Sequence, residues 1–142
     1  MTIVPFVSVG DLFFSDSRES LRKKLNEGFR AGVKEFEGIK DYYDLFKKSD
    51  LMVAYDKDDN INAFEFYKGD VIFNGISLLK EPYINLIEIF SKNDPGLVVN
   101  GTTVTSNKLG IGLNAPYAGT EDEDAFVESV IVFRKGYYDV LL

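Results

Sequence analysis

The apolar positions of this chain recur in two matching runs. Gly10–Leu25 (GDLFFSDSRESLRKKL) lies over Gly75–Phe90 (GISLLKEPYINLIEIF) without a gap, 65 residues further on. Phe13 and Phe14 fall on Leu78 and Leu79, Leu21 on Leu86, and Leu25 on Phe90. In each run the later apolar residues stand four apart, the spacing of one helix face. The first helix is expected from about Ser17 to Glu27, with Asp16 as N-cap, Glu19 completing a capping box and Gly28 just past the end. Arg18, Arg22, Lys23 and Lys24 cover its other faces. The second is expected to begin at Pro82, whose missing N–H costs little at a first helical position, and to stop at Asp94-Pro95-Gly96. Its stripe of Tyr83, Leu86, Ile87 and Phe90 is widened by Ile84 and Ile89. That makes it the more buried helix and predicts that Leu86→Ala costs more stability than Leu21→Ala.

Around these helices the pattern reads as strands. Val4–Val9 is β-branched but interrupted by Pro5, which suits an edge strand or a lead-in. Leu51–Tyr55 and Ile61–Phe66 flank the polar turn Asp56–Asn60, a strong hairpin signal. Lys68-Gly69-Asp70 turns the chain into Val71–Phe73. Leu97–Val99 and Thr102–Thr105 flank Asn100-Gly101, a second hairpin turn. Leu109–Leu113 corresponds to Leu51–Tyr55, and Val127–Phe133 to Ile61–Tyr67, with Val130 and Val132 matching Phe64 and Phe66. The stretch 114–126 replaces the short turn of the first half. Residues 28–50 mix apolar, charged and glycine positions and are read as a short strand followed by a short helix near Asp41–Lys48. The expected fold is α+β, with residues 1–70 and 71–142 as two similar units, each a helix on mainly antiparallel strands, sharing one core.

Composition narrows the chemistry. At 142 residues and 45% hydrophobic, the chain is long and apolar enough for a folded core. It has neither Cys nor His, which removes disulfides, thiol nucleophiles, the commonest general base and the usual zinc ligands. The first residues carry no basic segment followed by an apolar one, and no long apolar stretch follows, so a cytoplasmic location without membrane insertion is expected. The net charge is −7, with 11 basic and 14 acidic groups in residues 1–70 and 5 and 9 in the remainder. An acidic chain disfavours nucleic acid and allows a basic protein partner.

Few motifs carry chemistry. Asp56, Asp58 and Asn60 offer the alternating oxygen ligands of a calcium loop, but Ile61 stands where that loop needs glycine and Tyr67 where it needs glutamate. A solvated hairpin turn is the better reading. Glu121, Asp122, Glu123 and Asp124 form an acidic run in the long loop and are the preferred contact surface, together with Tyr137 and Tyr138. The basic residues of the first helix could hold an anion, although compensation of nearby acids is the better reading. Gly110, Gly112 and Gly119 do not make a phosphate loop, because no Gly-Lys-Ser/Thr follows. Paired carboxylates are the remaining acid–base route, and no acid in the sequence is marked as buried. No enzyme activity and no cofactor are therefore expected.

The duplicated plan, carried by Gly75–Leu86 and its sister Gly10–Leu21, resembles the tandem repeat of the beta-lactamase inhibitor protein type and the single unit of small outer-membrane assembly lipoproteins. That resemblance implies a helix packed on antiparallel sheet in each half. The chain also looks like small bacterial immunity proteins, which neutralise a toxin encoded next door. A non-catalytic binding protein is the expected function, with a small-ligand or calcium module using Asp56–Asn60 or Glu121–Asp124 as the alternative.

Overall fold

The computed structural model describes residues 1–118 and 125–137. Three short strands come first: β1 (Ile3–Val4), β2 (Ser8–Val9) and β3 (Leu12–Phe13), followed by helix α1 (Arg18–Leu25). A four-strand meander follows: β4 (Phe29–Phe36), β5 (Ile39–Phe46), β6 (Leu51–Tyr55) and β7 (Ile61–Phe66). The hairpin β8 (Ile72–Phe73) and β9 (Ile76–Ser77), a 3-10 turn over Leu78–Lys80 and helix α2 (Tyr83–Asn93) then lead into a second meander. Its strands are β10 (Val98–Asn100), β11 (Thr103–Ser106), β12 (Ile111–Asn114) and β13 (Ser129–Phe133). The meanders join where β13 pairs with β7, giving one antiparallel sheet of eight strands in the order β10-β11-β12-β13-β7-β6-β5-β4. The class is α+β.

Both helices sit where their caps place them. Ser17, not Asp16, caps α1: its Oγ accepts the Ser20 N–H at 3.0 Å. Asp16 is drawn aside by the Phe13 N–H at 2.9 Å and by Lys24 at 2.7 Å. The helix ends before Gly28, because Asn26 takes the left-handed turn and returns its N–H to the Arg22 carbonyl. Ser17→Ala should therefore lower the unfolding free energy by about 1 kcal/mol, measurable by urea denaturation, while Asp16→Ala should leave the helix start unchanged. At α2, Pro82 is the cap itself, one position outside the helix, and Asp94 closes the far end.

The region 28–50 departs most from its expected form. It is a pair of eight-residue strands, β4 and β5, in unbroken register from Phe29 opposite Phe46 to Phe36 opposite Ile39. The expected helix near Asp41–Lys48 is absent: Tyr42, Asp44 and Phe46 point to one side of the sheet and Tyr43 and Leu45 to the other, a period of two. Val4–Val9 is likewise two short strands, broken at Phe6, whose φ is 63°. The second hairpin turns on Gly101-Thr102 and not on Asn100-Gly101, because Asn100 pairs with Thr103. Gly101, at φ 60°, fills the first turn position, where a positive φ favours glycine.

Alternation along the strands separates two faces. On one, Val53, Phe64, Val132 and Ile111 form a continuous row, with Leu51, Phe66, Val130, Leu113 and Val104 beside it, and all are buried. Leu21 of α1 and Leu86 and Phe90 of α2 belong to the same core. Phe14 meets Phe64 at 5.0 Å between ring centres, and Phe73 stacks on Phe90 at 5.4 Å. Ile84, expected to widen the apolar stripe of α2, is exposed. The long loop after β12 has a structural duty that its absence from the first half did not suggest. Ala115 and Ala125 are buried, and the Ala125 carbonyl accepts the Tyr83 N–H at the start of α2 at 2.9 Å. Among the described residues no helix is long and apolar enough to cross a membrane.

Candidate functional site

The second face of the sheet is open. Strand pairing carries one row across all eight strands: Arg30, Leu45, Met52, Glu65, Ile131, Gly112, Thr105 and Val98. Leu45, Met52, Glu65, Ile131 and Thr105 are half-buried and the two end residues are exposed, whereas the row behind them is closed to solvent apart from its ends. The floor of this face is kept low by small residues. Ala54 and Ala63 lie side by side, and Gly112 lets Ile131 rest on it, since a Cβ there would come within 2.6 Å of Ile131 Cγ2. The Tyr43 ring lies over Gly32 in the same way.

Two shallow clefts mark the face, of about 390 Å³ and 170 Å³. Glu65 and Ile131 line both and so stand at its centre. Glu65 is a half-buried carboxylate, fixed by the Ser129 hydroxyl, which donates to Oε2 at 2.9 Å. Burial pushes the Tyr67 phenol up, and the neighbouring Glu65 charge and the hydrogen bond between the two side chains push it further. Tyr137 borders the smaller cleft, with its ring 6.2 Å from Phe133. A third cleft, of about 360 Å³, is lined by Lys40, Asp41, Tyr42, Asp56, Asn62 and Arg134, among others. Arg134 is held there by a 2.7 Å bond to the buried Asn62 side chain.

The helix side of the sheet holds a charged cluster that sequence reading passed over. Asp44 is fully buried in the inward row between Ala31 and Val53. Arg18 donates to it through Nε at 3.3 Å and Nη2 at 2.8 Å, and Arg22 through Nε at 2.9 Å and Nη2 at 2.8 Å. The Tyr55 hydroxyl adds a bond at 3.0 Å. Burial alone would raise the Asp44 carboxyl, but the hydrogen bonds from Arg22 and Arg18 outweigh it and hold it below the ordinary carboxylate range. Burial and the Asp44 charge push the Tyr55 phenol up. Arg18 also lies over the Tyr55 ring at 4.5 Å, and Arg22 over Phe29 at 4.2 Å. The cluster clamps α1 to β5 and β6. Since every carboxylate oxygen is occupied, it holds no group free to act on a substrate.

This settles the basic face of α1 residue by residue. Arg18 and Arg22 serve Asp44, Lys24 serves Asp16, and Lys23 makes an exposed pair with Glu19. The signal for it was present: Arg18 and Arg22 are four apart and flank Leu21 on the inward helix face, and Asp44 alternates with Tyr42 and Phe46. Asp94 is a second buried acid, and it accepts from the Ser106 hydroxyl at 2.8 Å and the Gly96 N–H at 2.8 Å.

The sequence candidates fall in different places. Asp56 turns inward on its own loop, accepting N–H groups of Asp58 at 2.8 Å and Asn60 at 3.0 Å and the Asn60 amide at 3.1 Å. These bonds, Asn60 foremost, overcome the effect of burial and hold its carboxyl below the usual range. Asp58 is exposed and adds no bond through its carboxylate. Among the described residues no group of three acids is arranged to hold a metal ion. Glu121, Asp122, Glu123, Asp124 and Tyr138 lie outside the described residues.

No protein-family model matches the chain, and comparison with curated protein sequences gives no match. Among solved structures, the chain is similar to the uncharacterized protein YfeY from Escherichia coli, with a TM-score of 0.61 over 92% of this chain and 99% of that one. The two share 18% of their residues, so the likeness is one of fold alone.

Proposed function

We propose that this is a non-catalytic, cytoplasmic binding protein of the immunity or inhibitor type, which docks a partner protein on the open face of its sheet. The observation that carries the reading is that face itself. It is a broad, shallow surface with an apolar middle, a low floor and a fixed carboxylate at its centre, while the opposite face is filled by the core. A cationic side chain of the partner would meet Glu65, in keeping with a chain of net charge −7.

We further infer that the halves are two copies of one unit. Arg18 and Tyr83, the first residues of the helices, are 65 apart, as are the turn residues Gly10 and Gly75, both with positive φ. Leu21 and Leu86 are both fully buried. The central pairing is also symmetric. If Phe64 and Phe66 match Val130 and Val132, then Glu65 faces its own counterpart Ile131, and each flanking residue faces the counterpart of the other. In this register β6 answers to Ile111–Ala115, two residues beyond the Leu109–Leu113 expected from the sequence, and the copies differ in charge: the place of Asp44 on β5 is taken by Val104 on β11, and that of Tyr55 by Ala115.

The functional reading is tested by expressing the native operon. A stoichiometric co-purifying protein, and protection of cells against the adjacent gene product, are the expected results. A chain that purifies alone and gives no protection would overturn it.

A further inference from the structure

The free edge of β4 is long and unbroken. Natural sheets shield their edges with charged side chains, proline, a bulge, a covering segment or shortness, and of these β4 carries only charges, on Arg30, Lys34 and Glu35. β4 (FRAGVKEF) has eight residues, no proline and no bulge, and no described residue pairs with its outer side. The edge at the other end of the sheet, β10, has three residues. Phe29, Val33 and Phe36 are 43%, 54% and 75% exposed. The pairing of β5 with β6 stops at Tyr42, so Lys34–Phe36 and Ile39–Asp41 extend beyond the rest of the sheet as a two-stranded ribbon.

Register divides the edge by chemistry. Arg30 and Lys34 lie on the open face, in line with Leu45 and Asp41. Phe29, Ala31 and Val33 lie on the helix side, in line with Phe46, Asp44 and Tyr42. Among the described residues neither cation pairs with a carboxylate; Lys34 rests over the Tyr43 ring at 5.5 Å and near Met52 Sδ at 3.7 Å. The edge therefore presents backbone donors and acceptors, a helix-side row that is apolar from Phe29 to Val33 and ends on Glu35, and an open-face row that carries the two positive charges and ends on Phe36.

We propose that β4 receives an extended segment of a partner protein by strand addition, with the segment's apolar residues on the helix side and its acidic residues facing Arg30 and Lys34. The proposal rests on the protein-binding reading and adds to it the edge of the site and the chemistry of the segment. A second copy of this chain suits the edge less well. Two-fold pairing of β4 with itself sets Arg30 against Lys34 when centred on Gly32, and leaves both cations of each copy without an acid when centred on Val33.

The probe is a labelled nine-residue peptide of alternating valine and glutamate, titrated by fluorescence anisotropy at physiological salt. A valine–lysine peptide and a scrambled peptide of the first composition serve as comparisons. The expected result is saturable binding of the valine–glutamate peptide, about tenfold or more weaker for the other two and for the double variant Arg30→Glu, Lys34→Glu. Slowed amide exchange should be confined to residues 29–36 and their neighbours. Ile84→Arg, on the exposed side of α2, should leave peptide binding unchanged, and partner capture is read separately from peptide binding, so the two can fail separately. Three results would each overturn strand addition by an acidic segment: no saturable binding, equal binding of the lysine peptide, or concentration-dependent dimers that the double variant abolishes.

Discussion

Asp44→Ala is expected to lower the unfolding free energy by about 3–5 kcal/mol, the range for removing one partner from a buried ion-pair network. The Asp44 side chain is fully buried, and those of Arg18 and Arg22 are 16% and 32% exposed. Without the carboxylate, the buried Tyr55 hydroxyl loses its acceptor, and two guanidinium groups face each other across the space between helix and sheet. Because the partners reach water at one side, the lower half of the range is the better expectation, and Asp44→Asn should lie between wild type and alanine. The same group gives a pH signature. Its folded carboxyl titrates below the ordinary value of 3.8, so its contribution is complete at neutral pH. As pH falls through about 3.8 and towards the lower folded value, the unfolded chain takes up the proton first and stability is lost. Denaturant midpoints measured from pH 7 down to pH 3 should therefore fall for the wild type and fall less for Asp44→Ala. The depressed carboxyls of Asp16, Asp56 and Asp70 contribute to the slope that remains.

Leu21→Ala and Leu86→Ala are each expected to cost about 2–5 kcal/mol, by loss of transfer energy and by the cavity left between helix and sheet. The apolar arc of α2 predicts the larger loss at Leu86. Burial gives no ground for that order, because both side chains are fully enclosed in the same core. Equal losses within about 1 kcal/mol are now expected, from urea denaturation with unchanged slopes. The charged character of α1 misleads here. Its arginines turn their guanidinium groups inward to Asp44 beside Leu21 while keeping one side in water, and Ile84, which widens the apolar arc of α2 in the sequence, turns out into solvent.

The parts of the fold legible in the sequence were those where one signal acts alone. The five-residue turn Asp56–Asn60 between two apolar runs gave the β6–β7 hairpin, and the four-residue spacings gave both helices. β4 and β5 were illegible because their period of two is carried by mixed residues. On β5 the inward positions are Tyr42, Asp44 and Phe46, so an acid interrupts the apolar series, and on β4 seven of eight residues are exposed. An isolated aspartate in an ambiguous stretch reads as solvent-facing until its two arginines, more than twenty residues away, are known to reach it. The open face was equally hidden. Glu65 reads as an ordinary outward strand residue, and its place at the centre of the face follows only from the β7–β13 pairing, between residues 66 apart. Tyr137 borders that face.

The most direct test of the open face compares two arginine substitutions in the native-operon capture. Ile131→Arg places a long cation at the centre of the face, and Ile84→Arg places one on the exposed side of α2, where the side chain is 60% exposed. Both should fold as the wild type does by thermal melting. The predicted result is that Ile131→Arg loses the co-purifying partner at least tenfold while Ile84→Arg retains it; retention by Ile131→Arg, or equal loss from both, would contradict the assignment of the open face.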